Sequence, residues 1–282
     1  MKTILEILAL STDYLQKKGI PNARRQAEDL VADALAIKRL DLYLRFDQPL
    51  SVEEMDRCRS FLQRRGTREP QQYINGSVAF LDCMISVNPH VLIPRQETEI
   101  LADRIAKTLE KEDLEGKTFL DLCCGSGCIG ISLKKRFPQL SVILSDISTD
   151  ALAVAKENAK NNDVEVNFLQ GDLLSPLAEK KVDYLVCNPP YLTTKEFLEA
   201  EPEVQLFEPR HALVGGDSGL EFYARLAKEL KKYLMGRAKV WLELGSTQGD
   251  AVNKIFENEN WNKFSVEKDW AGHDRFFFLE IE

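Results

Sequence analysis

The chain has 282 residues, of which 44% are hydrophobic and 29% are charged, a composition typical of a globular protein. Its formal net charge is −8, and the acidic excess lies beyond the first 80 residues: these carry 13 Lys and Arg against 11 Asp and Glu, whereas the other 202 carry 24 against 34. This balance disfavours nucleic-acid binding, which usually needs a strongly basic surface, although a local basic patch remains compatible with it. No apolar run reaches the roughly 18 residues of a membrane-spanning helix, so we expect no membrane partner.

Residues 1–19 contain an apolar stretch that Glu6 interrupts, and no small-residue cleavage site follows it. We therefore predict an amphipathic helix rather than a signal peptide, and a cytoplasmic location. The six cysteines are few for this length and form no disulfide framework, which agrees with a reducing compartment.

Residues 1–75 are predicted to form a small bundle of three amphipathic helices. Two stripes at helical spacing are Ile4, Leu5, Leu8, Thr12 and Leu15, and Ala27, Leu30, Val31, Ala34 and Leu35. Ser51 followed by Glu54 is a capping box, which indicates the start of a third helix that continues through Leu62.

From residue 76 the pattern changes to alternating, β-branched residues, which predicts a β-hairpin linker over 76–94. Residues 95–282 are predicted to form the catalytic domain, because strand and helix patterns alternate there as in an open parallel sheet with helices on both faces. The predicted strands are 118–122, 141–146, 166–169, 182–187, 239–244 and 275–281, with helices over 150–161 and 217–234 among them. The last strand is expected to be an antiparallel edge strand or an inserted one.

The strand 118–122 is followed by a glycine-rich loop in which Gly125, Gly127 and Gly130 match G-x-G-x-x-G. Glycine lets the backbone turn sharply and approach a ligand, and the following helix offers free N–H groups. A dinucleotide enzyme would hold a pyrophosphate here, and an S-adenosyl-L-methionine enzyme would hold the methionine moiety and ribose. The glycines alone do not decide between these cofactors.

Three acidic residues lie where the ligand of such a sheet binds. Asp146 closes the second strand, and a carboxylate there accepts both ribose hydroxyls in either cofactor class. Asp121, just before the glycine loop, can face the methionine ammonium, and Asp172 can reach the adenine amino group. These two favour S-adenosyl-L-methionine.

A metal site is not expected from the cysteines around this loop. Cys124 and Cys128 are three residues apart with Cys123 adjacent, but no second cluster completes four ligands. The three histidines are scattered along the chain: His90, His211 and His273. We predict that these cysteines pack as small side chains in the turn.

The fourth predicted strand, 182–187, runs directly into Asn188-Pro189-Pro190-Tyr191. Asn188 therefore lies at the carboxyl end of a strand beside the glycine loop. Its side-chain oxygen and the Pro189 carbonyl, which the fixed φ of proline holds rigid, can each accept one N–H bond from a planar amide or aromatic amine. These bonds would aim the nitrogen at a sulfonium methyl and stabilise the developing positive charge, with Tyr191 as an aromatic wall. No strong general base is needed, because the proton becomes acidic only after methyl transfer.

Asp/Asn-Pro-Pro-Tyr/Phe is shared by methyltransferases that act on planar nitrogens of DNA adenine, some RNA guanines and protein glutamine. Five further segments narrow the resemblance: REPQQYINGSVAF (68–80), VLIPRQETE (91–99), LDLCCGSGCIGI (120–131), FEPRHALVGGDSGLEFY (207–223) and LELGSTQGDAV (242–252). With these, essentially the whole chain resembles the peptide-chain release factor glutamine methyltransferases, the PrmC/HemK family.

The resemblance implies the fold class α/β: an S-adenosyl-L-methionine-dependent, Rossmann-like methyltransferase sheet with helices on both faces, plus a small N-terminal α-helical bundle joined by a β-hairpin. It implies methylation of the side-chain amide nitrogen (N5) of the glutamine in the Gly-Gly-Gln motif of class 1 release factors. The bundle would help to bind the release factor, and no direct nucleic-acid partner is expected. The product formed from the cofactor would be S-adenosyl-L-homocysteine.

The resemblance also assigns roles to residues. The cofactor-binding residues would be Asp121, Cys123, Cys124, Gly125, Ser126, Gly127, Asp146, Asp172, Leu173 and Asn188. Asn188, Pro189 and Tyr191 would be catalytic, and with Pro190 they would bind the glutamine amide. Two positions depart from the family pattern: Cys123 replaces a glycine, and Leu173 stands where some members carry an aromatic that stacks on adenine.

Other residues near these motifs have two interpretations each. Arg95 and Glu97–Glu99 brace the pocket or cap a helix, and Glu208 belongs to the site or is a solvated loop acid. Phe80 lines the pocket or packs in the hairpin core. Neither His211 nor His273 is required as a base.

Three other functions remain open from sequence alone, and a dinucleotide dehydrogenase is a weaker fourth. A ribosomal-protein glutamine methyltransferase would share every catalytic feature, and a nucleic-acid amino-methyltransferase would need a basic cleft. A binding protein with this fold but no turnover would leave Asn188–Tyr191 unexplained, as would a dinucleotide dehydrogenase.

Overall fold

The computed structural model describes residues 2–281. Its contacts define two compact units. The first comprises the residues up to Gly76 together with Glu201–Phe207, and the second comprises Ser77–Ala200 together with the residues from Glu208 onward. The chain therefore passes between the units three times.

The first unit is helical. Its helices are α1 (Ile4–Lys17), α2 (Ala23–Leu35), α3 (Arg39–Leu44), α4 (Val52–Gly66), α5 (Gln71–Asn75) and, numbered by its place in the chain, α10 (Pro202–Phe207). The three longest helices are the predicted ones, and the capping box of Ser51 and Glu54 opens α4. Helices α3, α5 and α10 were not predicted, because they are too short to show a helical period.

Two buried clusters hold the first unit together. One contains Ile4, Leu8, Val31, Leu42, Leu50 and Cys58, and the other contains Leu15, Ile20, Ala27, Leu30 and Ile74. Both stripes predicted for the first two helices supply these clusters, although Leu5, which the sequence places on the first stripe, is 48% exposed.

The second unit begins with the predicted hairpin, formed by β1 (Ser77–Phe80) and β2 (Cys83–Ser86) in antiparallel register. Two asparagines of a later helix complete its outer edge. Asn158 accepts from the Ser86 N–H (2.7 Å) and donates to the Ser86 carbonyl (3.0 Å), and Asn162 does the same for Met84. These amide side chains stand in for a neighbouring strand, so the edge of β2 is not left unpaired.

The remaining elements build a seven-stranded sheet with helices on both faces and a separate sheet of two short strands. The helices are α6 (Gln96–Leu109), α7 (Cys128–Arg136), α8 (Thr149–Asn161), α9 (Thr194–Glu199), α11 (Glu221–Glu229) and α12 (Gly249–Asn258). The strands are β3 (Thr118–Leu122), β4 (Ser141–Asp146), β5 (Asn167–Gln170), β6 (Val182–Cys187), β7 (Leu192–Thr193), β8 (Val214–Gly216), β9 (Leu234–Glu243), β10 (Phe264–Lys268) and β11 (Asp274–Glu280).

The main sheet has seven strands in the order β10-β11-β9-β6-β3-β4-β5. The strands β9, β6, β3, β4 and β5 are mutually parallel, whereas β11 is antiparallel to both β9 and β10. Of the two expectations for the last strand, insertion is correct, because β11 lies between β10 and β9. Strand β10 was not predicted, because its exposed residues alternate with only half-buried ones.

Two predicted boundaries are wrong. The strand predicted from 239 begins at Leu234, and the helix predicted over 217–234 covers only Glu221–Glu229 before a short 3-10 turn. Gly219 has a φ of +72°, which is a left-handed conformation. A right-handed helix cannot include such a residue, so the helix begins after it.

The sheet topology brings the chemical residues together. Because β3 lies between β4 and β6 with all three parallel, their carboxyl ends share one edge, and the glycine loop, Asp146 and Asn188 all follow there. Among residues 2–281, no helix has the length and apolar composition to cross a membrane.

Candidate active site

The loop between β3 and α7 turns through three left-handed residues: Cys123 (φ +56°), Gly125 (φ +52°) and Gly127 (φ +77°). Cys123 thus adopts the conformation that a glycine takes at no cost, which explains why glycine suits this position. Gly130 has a different task, since a Cβ on it would collide with the Leu144 side chain. The first glycines shape the loop, and the last lets α7 approach the sheet.

Asp121 lies beneath this loop with 2% of its surface exposed. One carboxylate oxygen accepts the Gly130 N–H at 2.8 Å, and the described residues form no ion pair with it. Burial raises the pKa of Asp121 to about 8, although the Gly130 hydrogen bond opposes the shift. Asp121 is therefore a buried carboxyl group that would be stabilised by a cation.

Asp146 shapes the loop as well as facing it. Its two carboxylate oxygens accept the N–H groups of Gly125 and Ser148, each at 2.9 Å. A carboxylate has about four lone-pair sites, so two remain for a ligand. The acid predicted to bind ribose hydroxyls thus also fixes the backbone that approaches the ligand.

Asp172 and Leu173 differ in their surroundings. Asp172 is half-exposed and forms an ion pair with Arg225 at 2.7 Å. Leu173 is buried, with φ +47°. The carboxylate predicted to reach adenine is therefore already held by an arginine, while the leucine presents an apolar surface.

A cavity of about 260 Å³ brings most of the predicted residues together. Of the thirteen residues predicted to bind the cofactor or the substrate, ten line this cavity: Asp121, Cys123, Cys124, Gly125, Ser126, Asp146, Asp172, Leu173, Asn188 and Pro190. Gly127, Pro189 and Tyr191 do not. The cavity also has lining residues that the sequence analysis did not single out as site residues, among them Thr98, Ile147 and Phe222, and two histidines, His90 and His211.

Asn188 is anchored through its side-chain nitrogen. Its Nδ2 donates to the Thr98 hydroxyl at 3.2 Å, and that hydroxyl donates to Glu243 Oε2 at 2.7 Å. Thr98 and Glu243 are almost fully buried, with 3% and 1% of their surfaces exposed. Burial raises the pKa of Glu243 to about 7, while the Thr98 hydrogen bond and the charge of Arg275 lower it.

Tyr191 points away from the cavity, toward this buried carboxyl group. Its hydroxyl lies 3.5 Å from Glu243 Oε1, and burial raises its pKa well above the usual range. The hydroxyl of Tyr191 therefore packs against Glu243, and its role as a wall for the acceptor stays a prediction.

The backbone of the Asn188–Tyr191 segment is held by a second set of contacts. A Cβ on Gly215 would collide with the Pro190 carbonyl oxygen, and a Cβ on Gly219 with that of Tyr191. Gln248 Nε2 donates to the Tyr191 carbonyl at 2.9 Å and to that of Gly219 at 3.3 Å. Pro190 and Tyr191 are thus enclosed by two glycines and one amide side chain.

The remaining candidates have structural partners. Arg95 precedes α6 and pairs with the buried Glu208 at 2.5 Å, so Glu208 is not a solvated acid. Glu99 accepts the Leu81 N–H at 2.7 Å and so supports the hairpin turn. Phe80 is 1% exposed and packs as a core residue.

The six cysteines are all free thiols. Burial raises the pKa values of Cys124, Cys128 and Cys187, so their thiols stay protonated at neutral pH. Within residues 2–281, no three His, Cys, Asp or Glu side chains are grouped as metal ligands.

Comparison with known families covers both units. The family model "Methyltransferase small domain" matches residues 96–205, and "PrmC N-terminal domain" matches residues 6–76. A methyltransferase structure from Pyrococcus furiosus superposes with a TM-score of 0.52 over 72% of this chain and 90% of that chain, at 17% identity. This likeness shows that the fold is that of a methyltransferase.

Curated relatives match almost the full chain. The release factor glutamine methyltransferase of Chlamydia trachomatis (serovar L2) is 48% identical over 276 residues, 98% of this chain and 93% of that protein. The enzyme of that name from Geobacter sulfurreducens is 36% identical over 273 residues, 97% of this chain and 95% of that protein. The resemblance noted in the sequence is thereby confirmed, and the chain belongs to the release factor glutamine methyltransferase family.

Proposed function

We propose that this protein transfers a methyl group from S-adenosyl-L-methionine to the side-chain amide nitrogen (N5) of the glutamine in the Gly-Gly-Gln motif of class 1 release factors. The observation that carries the proposal is the position of Asn188. It lines the same cavity as the glycine loop and is held by its Nδ2, so its Oδ1 remains to accept an N–H from the substrate amide.

An amide nitrogen is a poor nucleophile because its lone pair is delocalised into the carbonyl group. Asn188 Oδ1 and the Pro189 carbonyl would each accept one N–H of the glutamine amide, which orients the lone pair toward the methyl group. Both acceptors also stabilise the positive charge that builds on nitrogen. The proton leaves after transfer and can pass to water, so neither His90 nor His211 has to act as a base.

The residues around the cavity fit the cofactor. Asp121 is a buried carboxylate without a cationic partner among the described residues, which suits the methionine ammonium group. Asp146 retains free lone pairs for ribose hydroxyls, and Ile147 and Leu173 offer apolar surface to adenine. When bound, S-adenosyl-L-methionine supplies the methyl group, activated by the positive sulfur that carries it.

The role of Asp172 needs one adjustment. Because Arg225 holds its carboxylate at 2.7 Å, Asp172 would accept the adenine amino group only with its remaining lone pairs. We infer that the ion pair fixes the Asp172 carboxylate for this contact rather than replacing it.

We also infer that the first unit, with residues 1–75 predicted as the recognition domain, contributes to release factor binding. Its helix α3 exposes Leu40 and Leu44, which are 70% and 77% accessible, and Tyr43 lies between them. Exposed apolar side chains grouped on one short helix are typical of a protein-binding surface. The free cysteines agree with a cytoplasmic site of action.

One labelling experiment tests the function. The purified protein is incubated with methyl-labelled S-adenosyl-L-methionine and, in separate reactions, an unmodified class 1 release factor, the same factor with the Gly-Gly-Gln glutamine replaced by alanine, ribosomal proteins, and DNA or RNA. We expect label on the intact release factor and none on the variant factor. Label on a ribosomal protein would keep the chemistry and change the partner, and label on nucleic acid would overturn the proposal.

A further inference from the structure

We propose that Thr98 and Glu243 are positioning residues for methyl transfer: they fix the Asn188 side-chain amide so that its oxygen, and not its nitrogen, meets the acceptor amide. The inference rests on the proposed function. Glu243 was not singled out from the sequence, and Thr98 only as part of the range 97–99. The two residues come from different segments: Thr98 from the first turn of α6 and Glu243 from the end of β9.

The direction of the hydrogen bonds carries the argument. An ionised carboxylate only accepts, so the hydroxyl proton of Thr98 is committed to Glu243 Oε2 at 2.7 Å. The Thr98 oxygen then presents only lone pairs to Asn188. The atom of Asn188 that faces it, at 3.2 Å, must be the donor Nδ2.

This direction matters because an asparagine amide is nearly symmetric in shape. Rotated by 180° about its last torsion, Asn188 would occupy the same space and present two N–H donors to a substrate amide that also offers N–H groups. Donor would meet donor, and the lone pair of the substrate would no longer be directed. Thr98 and Glu243 make the unproductive rotamer costly, because it would place Oδ1 against the lone pairs of Thr98.

The pair is held firmly enough to impose this choice. Both side chains are almost fully buried, and the second oxygen of Glu243 faces the Tyr191 hydroxyl at 3.5 Å. The Tyr223 hydroxyl also donates to the Glu243 carbonyl at 2.8 Å, which fixes the end of β9. A fully satisfied buried network has one low-energy arrangement of its protons.

The test uses variants of Thr98 with a matched control on the same helix. Thr98→Val keeps the shape and removes the hydroxyl, and Thr98→Ser keeps the hydroxyl and removes the methyl group. Thr108→Val is the control, because Thr108 is also in α6 and its hydroxyl donates to the Arg104 carbonyl, away from the cavity. For each variant, kcat and KM for the release factor, S-adenosyl-L-methionine affinity by calorimetry, and the unfolding midpoint are measured.

We expect Thr98→Val to lower kcat by about 10- to 100-fold, with cofactor affinity within about threefold of the wild type, because orientation of the acceptor is lost and the cofactor contacts are kept. Thr98→Ser should restore kcat to within about threefold of the wild type, and Thr108→Val should leave it unchanged. If Thr98→Val unfolds at the assay temperature, Thr98→Ala replaces it with the same expectation, because alanine also lacks the hydroxyl and cannot overfill the site.

The proposal is overturned if a folded Thr98→Val or Thr98→Ala protein keeps the wild-type kcat, if serine fails to restore it, or if the loss lies in cofactor affinity. Failure of the proposed function is a different result, since the wild-type protein itself would then leave the release factor unlabelled.

Discussion

The carboxylates Glu28 and Glu203 of the first unit and Asp121 and Glu243 of the second differ in the partners that surround them. In the N-terminal unit Glu28 is nearly buried and surrounded by donors: Arg24 at 2.6 Å, the Tyr43 hydroxyl at 2.7 Å and Arg39 at 3.6 Å. Burial alone would raise the pKa of Glu28, but the hydrogen bonds from Tyr43 and Arg24 outweigh it and hold the pKa below its usual value. Glu203 behaves likewise beside Arg65 and Arg68.

In the catalytic unit Asp121 and Glu243 are as deeply buried, yet their partners are neutral: a backbone N–H for the first, and two hydroxyl groups for the second. Burial raises the pKa of both groups. Matched charges stabilise a fold, whereas unmatched ones cost stability and are kept where a ligand or a reaction uses them. Within these four groups, the contrast separates carboxylates that form ion pairs from those that form none; Glu208 of the second unit also pairs with a cation, Arg95.

The largest expected effect is a loss of kcat on replacing Asn188, the neutral residue that Thr98 and Glu243 hold in place. We expect Asn188→Ala to lower kcat by at least about 10³-fold, because it removes both the acceptor and the orientation of the substrate amide. Affinity for S-adenosyl-L-methionine should stay within a few-fold, as calorimetry would show. A folded variant that no longer binds the cofactor would mean that Asn188 serves the cofactor and not the acceptor.

Breaking a matched pair should harm the fold. Arg65→Ala leaves the side chain of Glu203, which is 13% exposed, with only the more distant Arg68, and we expect it to lower the free energy of unfolding by about 3 kcal/mol. Arg59→Ala is the control, because Arg59 and Asp56 form an exposed pair, and its cost should be below about 1 kcal/mol. Equal costs in urea unfolding would contradict the comparison.

Replacing a buried carboxyl group that forms no ion pair should weaken ligand binding and stabilise the fold. We expect Asp121→Asn to weaken S-adenosyl-L-methionine binding by about tenfold or more, since a charge-assisted contact is lost. The cofactor-free protein should at the same time gain about 0.5–2 kcal/mol of stability, because the cost of burying an ionisable carboxyl group, which its raised pKa reflects, is removed while an oxygen remains for the Gly130 N–H. Calorimetry and thermal unfolding measure the two changes, and a variant that is both weaker in binding and less stable would refute the assignment.

The smallest expected effect is a pH dependence. If Thr98 needs an ionised Glu243 as its acceptor, kcat is highest above pH about 7 and falls by up to about tenfold between pH 8 and pH 6. Stability should change in the opposite direction, because a carboxyl with a raised pKa binds more protons in the folded state, and its contribution is lost as the pH rises through about 7. The groups that face Glu243 are Glu97 and Thr98 of α6, Cys128 of α7, Tyr191, Tyr223 of α11 and Arg275 of β11.

Glu243→Gln isolates this dependence, since glutamine has no ionisation in the range. The kcat profile of the variant between pH 6 and 8 should be flat at saturating cofactor. An unchanged acid limb in the variant would assign the titration to another group.

The meeting of the main site residues was predictable from sequence, because each of them lies at the carboxyl end of a predicted strand. The strands ending at Leu122, Asp146 and Cys187 were predicted correctly, and parallel pairing then requires the glycine loop, Asp146 and Asn188 to meet at one edge. The hairpin and the capping box at Ser51 were equally visible, since each depends on neighbours within a few residues.

What the sequence hid depends on contacts between distant segments. Glu243 looks like an ordinary polar residue at the end of a strand, and Thr98 like part of a helix start, until folding brings them to Asn188. A carboxylate that directly follows the apolar, buried run Val240–Leu242 is the one signal that points to Glu243. Tyr191 was expected beside the acceptor, and only packing shows that its hydroxyl faces inward.

The segment Glu201–Phe207 belongs to the first unit, which determines which fragments of the protein can fold separately. A fragment ending at Gly76 would contain every long helix of that unit but would lack Glu203, the acid that neutralises Arg65. We therefore expect such a fragment to be less stable than its helix content suggests, and to recover when a peptide spanning 201–207 is added or fused to it. The boundary predicted near residue 76 ends the first stretch of chain that belongs to this unit. The folded unit also includes the later segment Glu201–Phe207.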